Sequence, residues 1–261
     1  MEVIVFLLDG CRADAINQSN TPTICDLMEK GLRAERCSTV YPSLTGPGHI
    51  SILTGAYPEK TGIVGHFYWD KREKQIYDIF SDKYCQVETI FEILLQNRVN
   101  GVNFGAYMRR GSRDSHARKL VQRLVGKISS FKLLMDFIDD RPNLYRFLRG
   151  FVVGRYTEFK KAFENGEYNF YYVAFAEVDK AGHRYGPESD KYHETLRDCD
   201  KKIGEILDLA DSLKRDSTVI ITADHGQTTL TEKLSLDTMN LDEIGYKMDE
   251  AYDYSGSQII T

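Results

Sequence analysis

Val40-Tyr41-Pro42-Ser43-Leu44-Thr45-Gly46-Pro47-Gly48-His49-Ile50-Ser51-Ile52-Leu53-Thr54-Gly55 is the stretch on which the reading of this 261-residue chain turns. Pro42, Gly46, Pro47 and Gly48 dictate a tight turn, and His49 to Thr54 then alternates apolar with small polar residues, as the first turns of a buried helix do. Thr45 therefore stands at the mouth of a helix. Unpaired backbone N–H groups and the positive end of the helix dipole gather there, so a phosphate or an alkoxide is stabilised. A threonine in that place is either a simple cap or an activated hydroxyl, and the rest of the chain has to decide between them.

Working outward, Val3 to Leu8 is a continuous apolar run ending in Asp9-Gly10, the pattern of a strand buried on both faces of a parallel sheet. Thr21 to Lys30, with Pro22 near its start and Gly31 beyond its end, predicts a helix. Arg33 to Val40 is expected to be a strand delivering the chain into the central turn. Apolar residues at Val87, Ile90, Phe91, Leu94 and Leu95 predict a helix over Val87 to Asn97, with a strand from Val99 to Tyr107 after it. Asn169 to Ala176 reads as an aromatic strand leading into Glu177-Val178-Asp179. A long polar helix follows over Ser189 to Leu213, then a β-branched strand, Thr218 to Thr222, running into Ala223-Asp224-His225-Gly226. The fold class expected is α/β, a mainly parallel sheet with helices on both faces.

Between Met108 and Tyr156 the character changes. Arg109, Arg110, Arg113, Arg118, Lys119, Arg123, Lys127 and Lys132 occur with few acids, while Leu120, Leu124, Ile128 and Phe131 keep helical spacing. This predicts a helical cap over 108–156 inserted into a core made of 1–107 and 157–261. Its cations are either a solvated face or a lid that meets an anionic substrate.

At 42% hydrophobic residues the chain can bury a sizeable core. Net charge of −5 argues against a binder of nucleic-acid duplexes, so an anionic substrate must be met locally, by cations or a few placed side chains. Cys11, Cys25, Cys37, Cys85 and Cys199 are scattered and odd in number, which predicts free thiols rather than a disulfide framework or zinc knuckle. No apolar run reaches membrane-spanning length, and the expected location is cytoplasmic.

Three predicted strands end in metal-ligand residue types: Asp9, then Asp179 with His183 four residues on, then Asp224-His225. Loops at the carboxyl ends of parallel strands share one edge, where ligands bind. A lone Asp after a strand is usually a helix cap and a lone His usually structural; together, beside a threonine at a helix mouth, they describe a site. Carboxylate oxygens with imidazole nitrogens suit zinc, or manganese where oxygen dominates. Two such ions would activate a hydroxyl, neutralise phosphate oxygens and stabilise a leaving oxygen.

These pieces resemble the alkaline phosphatase superfamily and, within it, the type I phosphodiesterase/nucleotide pyrophosphatase family. The resemblance rests on Leu7-Leu8-Asp9-Gly10, on Tyr41 to His49, on Ser51 to Glu59 with Thr61-Gly62-Ile63, on Asp179 with Gly182-His183-Arg184-Tyr185-Gly186-Pro187, and on Ala223-Asp224-His225-Gly226. It implies Thr45 as the nucleophile of a covalent phosphothreonine, with Ser43 the competing hydroxyl. It also implies two divalent ions, Asp9, Thr45, Asp224 and His225 about one, and Asp179 and His183 at the other. The modified-residue motif of the family's sulfatases is missing. Two departures stand out. Gly48 takes the place of an Asn that helps hold a phosphate oxygen. No histidine follows His225 to complete the second ion's shell, so a ligand beyond this chain, or Asp237, Asp242, Asp253 or water, is expected instead. His49 is expected in the second shell or core, His193 on an exposed helix face, and His66 and His116 in loops or on the surface. The function implied is a two-metal phosphodiesterase or nucleotide pyrophosphatase acting on a small phosphate ester, a nucleotide being one candidate. A phosphomonoesterase or phosphonate hydrolase, or a truncated, non-catalytic member, are the alternatives. The cluster Phe67, Tyr68 and Trp69 is either core or a platform for a flat leaving group.

Overall fold

The apolar run after Met1 forms β1 (Glu2–Leu8) in the interior of a four-stranded parallel sheet ordered β4-β5-β1-β6, with β4 at Gly101–Phe104, β5 at Phe170–Phe175 and β6 at Ser217–Thr222. The computed structural model describes residues 1–70, 74–78, 84–105, 108–113 and 155–229. Met1–Gln227 make up one compact unit.

A strand with helices on both sides must be apolar on both faces, and β1 shows the division residue by residue. Ile4, Phe6 and Leu8 face one core together with Tyr171, Val173 and Phe175 of β5. Val5 and Leu7 face another with Tyr172 and Ala174. The first core is covered by α1 (Pro22–Lys30), α5 (Tyr156–Glu164), α6 (Glu177–Tyr185) and α7 (Asp190–Ser212), through Ile24, Phe159, Val178, Leu196 and Ile203 among others. Phe6 stacks on Phe175 at 6.0 Å and meets Phe159 edge-on at 5.8 Å; each such ring buries apolar area worth about 2–3 kcal/mol. The second core is covered by α2 (Thr45–Thr54) through Ile50 and Leu53 and by α4 (Ile90–Gln96) through Phe91. The short helix α3 (Pro58–Thr61) follows α2, and β2 (Phe67–Asp70) pairs antiparallel with β3 (Gln75–Asp78) in a separate hairpin. The expected α/β architecture with helices on both faces is thus present. Among the described residues no helix is long and apolar enough to cross a membrane.

Three local expectations need correction or completion. Arg33 to Val40 forms no strand: Arg33, Glu35, Arg36 and Cys37 are exposed, and the segment is tied to the sheet's edge where the Thr39 hydroxyl donates to the main-chain oxygen of Asp224. Its alternation is interrupted by three charges, which leaves too little apolar surface to hold a strand on a sheet. The helices α5 and α6, which sequence periodicity left unread, are both short and amphipathic. Arg109 and Arg110, expected to belong to a cationic cap, are bound to the core instead. Arg109 Nη1 donates to Asn103 O at 3.1 Å, and Arg110 pairs with Glu92 at 2.8 Å while donating to the carbonyls of Cys85 and Val87. Residues 114–154, where the rest of the cap is expected, lie outside the described residues, as do His116, Asp237, Asp242, Asp253 and the side chains of Phe67, Tyr68 and Trp69. All five cysteines are free, with Cys11, Cys85 and Cys199 buried and Cys37 exposed.

Candidate active site

Strand register brings the first two carboxylates together. Leu7 is paired with Thr222 and Leu8 with Phe175, so the chain leaves β1 and β6 at the same level and Asp9 and Asp224, each two residues beyond the Leu7–Thr222 pair, emerge side by side. Gly10 fastens them: its N–H donates to Asp224 Oδ1 at 3.1 Å. Gly10 has φ +69°, and a Cβ there would lie 2.9 Å from Asp179 Oδ1, so only glycine permits both the turn and the approach of α6. Asp179 and His183 stand one turn apart on α6, with His183 Nε2 3.3 Å from Asp179 Oδ1. His183 is largely exposed, its side chain 75% accessible, whereas Asp179 is mostly covered.

Thr45 is the first residue of α2 and is buried; Ser43, the competing hydroxyl, is exposed. Thr45 Oγ1 lies 3.0 Å from His225 Nε2, and the Nδ1 of the same ring is 2.8 Å from Gly226 O. With Nδ1 protonated to donate to that carbonyl, Nε2 is left as the lone-pair side facing the hydroxyl. His225 Nε2 also lies 3.4 Å from Asp224 Oδ2 and 3.7 Å from Asp9 Oδ1. His49, on α2 and fully buried, brings its Nε2 to 3.5 Å from Asp224 Oδ2 and 3.7 Å from Asp9 Oδ2. One residue earlier, Gly48 packs so closely on Asp224 that a Cβ would sit 2.9 Å from its carbonyl oxygen. A side chain such as Asn at this position would have to push the two elements apart.

The charges are badly solvated as they stand. Burial raises Asp9, and the neighbouring Asp179 carboxylate raises it further. Burial also raises Asp224, against the opposing pull of His49. Burial lowers His49. Burial would lower His225 as well, but the Asp224 carboxylate and the Gly226 carbonyl outweigh it and the net direction is upward. Asp9 Oδ1 and Asp224 Oδ2 are buried without a hydrogen-bond partner. Buried acceptors of this kind are met either by protonation or by a cation. Two overlapping groups, Asp9 with Asp179 and His225, and Asp9 with His49 and Asp224, each place ligand atoms within 4.8 Å of one another. Oxygen-rich groups with imidazole nitrogen at that spacing fit a divalent ion such as zinc or manganese.

The structure therefore gathers Asp9, Thr45, Asp224 and His225 in one place, with Asp179 adjoining them and His183 beyond it. His49, expected in the second shell or core, is fully buried with its Nε2 facing Asp9 and Asp224. Its sequence signal was weak because an isolated His in an apolar helix has the look of core, and only the approach of α2 to the β1 and β6 loops shows which atoms its ring faces. His193 is half-buried rather than exposed, with Nδ1 3.1 Å from Asn20 Nδ2.

Comparison with known proteins bears on the family and the fold. The family model described as type I phosphodiesterase / nucleotide pyrophosphatase matches residues 3–258. The chain is 27% identical over 231 residues to a bis(5'-adenosyl)-triphosphatase, enpp4, of Xenopus laevis, covering 86% of this chain and 47% of that protein. It is 24% identical over 244 residues to ectonucleotide pyrophosphatase/phosphodiesterase family member 7 of Rattus norvegicus, covering 90% and 52%. It thus spans about half the length of the curated relatives it matches. Among solved structures, murine ectonucleotide pyrophosphatase/phosphodiesterase 5 superposes with a TM-score of 0.64 at 18% identity, covering 97% of this chain and 63% of that one. Its inactive variant in complex with AMP superposes with a TM-score of 0.62. At that identity the likeness speaks for the fold alone. The fold, the edge of the sheet on which the acids and histidines meet, and a family match along nearly the whole sequence lead to one conclusion: the chain belongs to the type I phosphodiesterase/nucleotide pyrophosphatase family of the alkaline phosphatase superfamily.

Proposed function

We propose that this protein hydrolyses a phosphodiester or pyrophosphate bond of a nucleotide-type substrate by way of a covalent phosphothreonine at Thr45. The observation that carries the reading is the setting of one hydroxyl: Thr45 is buried at the start of α2, its Oγ1 3.0 Å from a His225 Nε2 that itself faces two buried carboxylates. Asp9, Thr45, Asp224 and His225 would hold one divalent cation, zinc or manganese, and Asp179 and His183 a second. When bound, such ions offset the negative charge of the phosphate and favour the ionised form of the hydroxyl and of the leaving oxygen. The chain supplies position. The N–H groups of Thr45 and Gly46, at the first two positions of α2, have no partner within the helix and are available to the oxygens of a phosphate held at Thr45, whereas Pro47 has no N–H and Gly48 donates to Leu44 O. Thr45 Oγ1 gives up its proton and forms a bond to phosphorus while the bond to the leaving oxygen breaks, and a proton passes to that leaving oxygen. Water then attacks the same phosphorus, the threonine–phosphorus bond breaks, Thr45 regains its proton, and a monophosphate departs. An adenylate is a fitting substrate half, since a relative splits bis(5'-adenosyl) triphosphate by its name and another has been seen with AMP.

The test is turnover of bis(p-nitrophenyl) phosphate against p-nitrophenyl phosphate by the full chain in zinc or manganese, with Thr45→Ala beside it. Preference for the diester, lost in the variant, supports the reading. Preference for the monoester moves the substrate class to phosphomonoesters. Turnover unchanged in Thr45→Ala, or no turnover of either ester, overturns it.

A further inference from the structure

Gln227 follows the Asp224-His225-Gly226 turn, and its side chain folds back onto α6. Its Nε2 donates to Asp179 twice, to the carboxylate Oδ1 at 2.6 Å and to the main-chain oxygen at 3.1 Å. One amide group thus bridges the backbone of Asp179 to its carboxylate, which removes the freedom of that carboxylate to rotate. The carboxamide fits because residue 182 is glycine: a Cβ built at Gly182 would overlap Gln227 Oε1. That oxygen is buried and has no hydrogen-bond partner. The amide is therefore held in its place at the cost of one unmet acceptor, which is a poor bargain for packing alone.

The carboxylate it grips has two sets of neighbours. Asp179 Oδ1 is 3.3 Å from His183 Nε2 on its own helix, and Asp179 also contributes a ligand atom to the group formed with Asp9 and His225. We propose that Gln227 is the positioning residue that fixes the orientation of Asp179 for the cation it shares with His183, and that Gly182 provides the space which admits it. Each carboxylate oxygen has two lone-pair sites, so Oδ1 can accept from Gln227 and still face a cation. The inference rests on the two-cation reading above.

Equilibrium zinc binding, measured on the full chain by competition with a chromophoric chelator, tests it, with the visible absorption of cobalt(II) as a second readout. The wild type is expected to bind two ions, one of which is removed by His183→Ala. Gln227→Met keeps the side-chain volume and loses the hydrogen bonds; Gly182→Ala keeps Gln227 but displaces its amide. Each should weaken the ion that depends on His183 by about 10–100-fold, leave the other unchanged, and alter the part of the cobalt spectrum that His183→Ala abolishes. If Gly182→Ala does not fold, Gln227→Met decides alone. Two ions bound by Gln227→Met as tightly as by the wild type would overturn the proposal and leave the two-cation reading intact, as would equal weakening of both ions. A wild type that binds no divalent ion overturns that reading, and this one with it.

Discussion

Thr45 owes its proposed chemistry to its setting, since a threonine hydroxyl at its ordinary pKa is a weak nucleophile. Thr45→Ala should lower diester turnover by about 1000-fold or more, while zinc binding, carried mainly by the acids and histidines, persists. Thr45→Ser, which keeps the hydroxyl, should retain measurable turnover; loss as complete as in Thr45→Ala would contradict the nucleophile assignment. Asp9 and Asp224 support a second prediction, on the metal-free protein. Burial lifts both from an ordinary value of 3.8 to about 7, so between those limits the folded chain retains protons that the unfolded chain has released. Stability of the metal-free protein should therefore fall as pH rises through this window and level off above it. Urea titrations in chelator at pH 5 and pH 8 would show it as a lower midpoint at pH 8, and a midpoint that rises would refute the assignment. Asp9, Thr45, Asp179, His183, Asp224 and His225 were all legible as candidates, because each is a ligand or nucleophile type at or near the end of a readable element. His49 and Gln227 were not, because neither residue type in its local sequence announces what its side chain will face.

Elements repeat the lesson at their ends. The cap of α7 is local: Ser189, where the helix was expected to begin, stands at its N-cap and its hydroxyl oxygen accepts from Tyr192 N at 3.2 Å. The start of α1 is served from elsewhere. Thr21 makes no side-chain cap, and the N–H groups of Thr23 and Ile24 donate instead to the two carboxylate oxygens of Asp200, on α7, at 3.0 and 2.9 Å. Asp200 is buried, so its loss strands two donors away from water. Asp200→Ala should cost about 2 kcal/mol, and at about 2–4 °C per kcal/mol for a domain of this size the melting temperature should drop several degrees. Ser189→Ala, at a half-exposed cap, should cost about 1 kcal/mol. Equal melting temperatures for the two variants would show that the bond from α7 to α1 contributes nothing beyond an ordinary cap. The absent strand at Arg33 to Val40 belongs to the same scale, since a strand needs a neighbour as well as a propensity, and a sequence window contains no neighbour.

At the scale of the molecule, the site is held between the two cores, with Asp9 and Asp224 leaving the sheet, Thr45 and His49 carried by a helix on one face, and Asp179 by a helix on the other. A cation bound among them would tie those layers together. Zinc or manganese at about 100 times its dissociation constant should then add about 2.7 kcal/mol of stability, seen as a higher melting temperature that chelator reverses. A melting temperature insensitive to both ions would argue that the acids are met by protons alone.

Hydrophobic periodicity was enough to establish the class of fold, the parallel sheet and the edge on which the acids collect, because alternation and run length are local properties that burial on one or both faces imposes directly. The meeting of Thr45 with His225, the turn of His49 toward Asp9 and Asp224, the cap that Asp200 provides and the grip of Gln227 on Asp179 join residues 40 to 180 positions apart. They depend on strand register and on how closely α2 and α6 approach the sheet, and those are settled by packing between distant segments, which no stretch of the chain contains on its own.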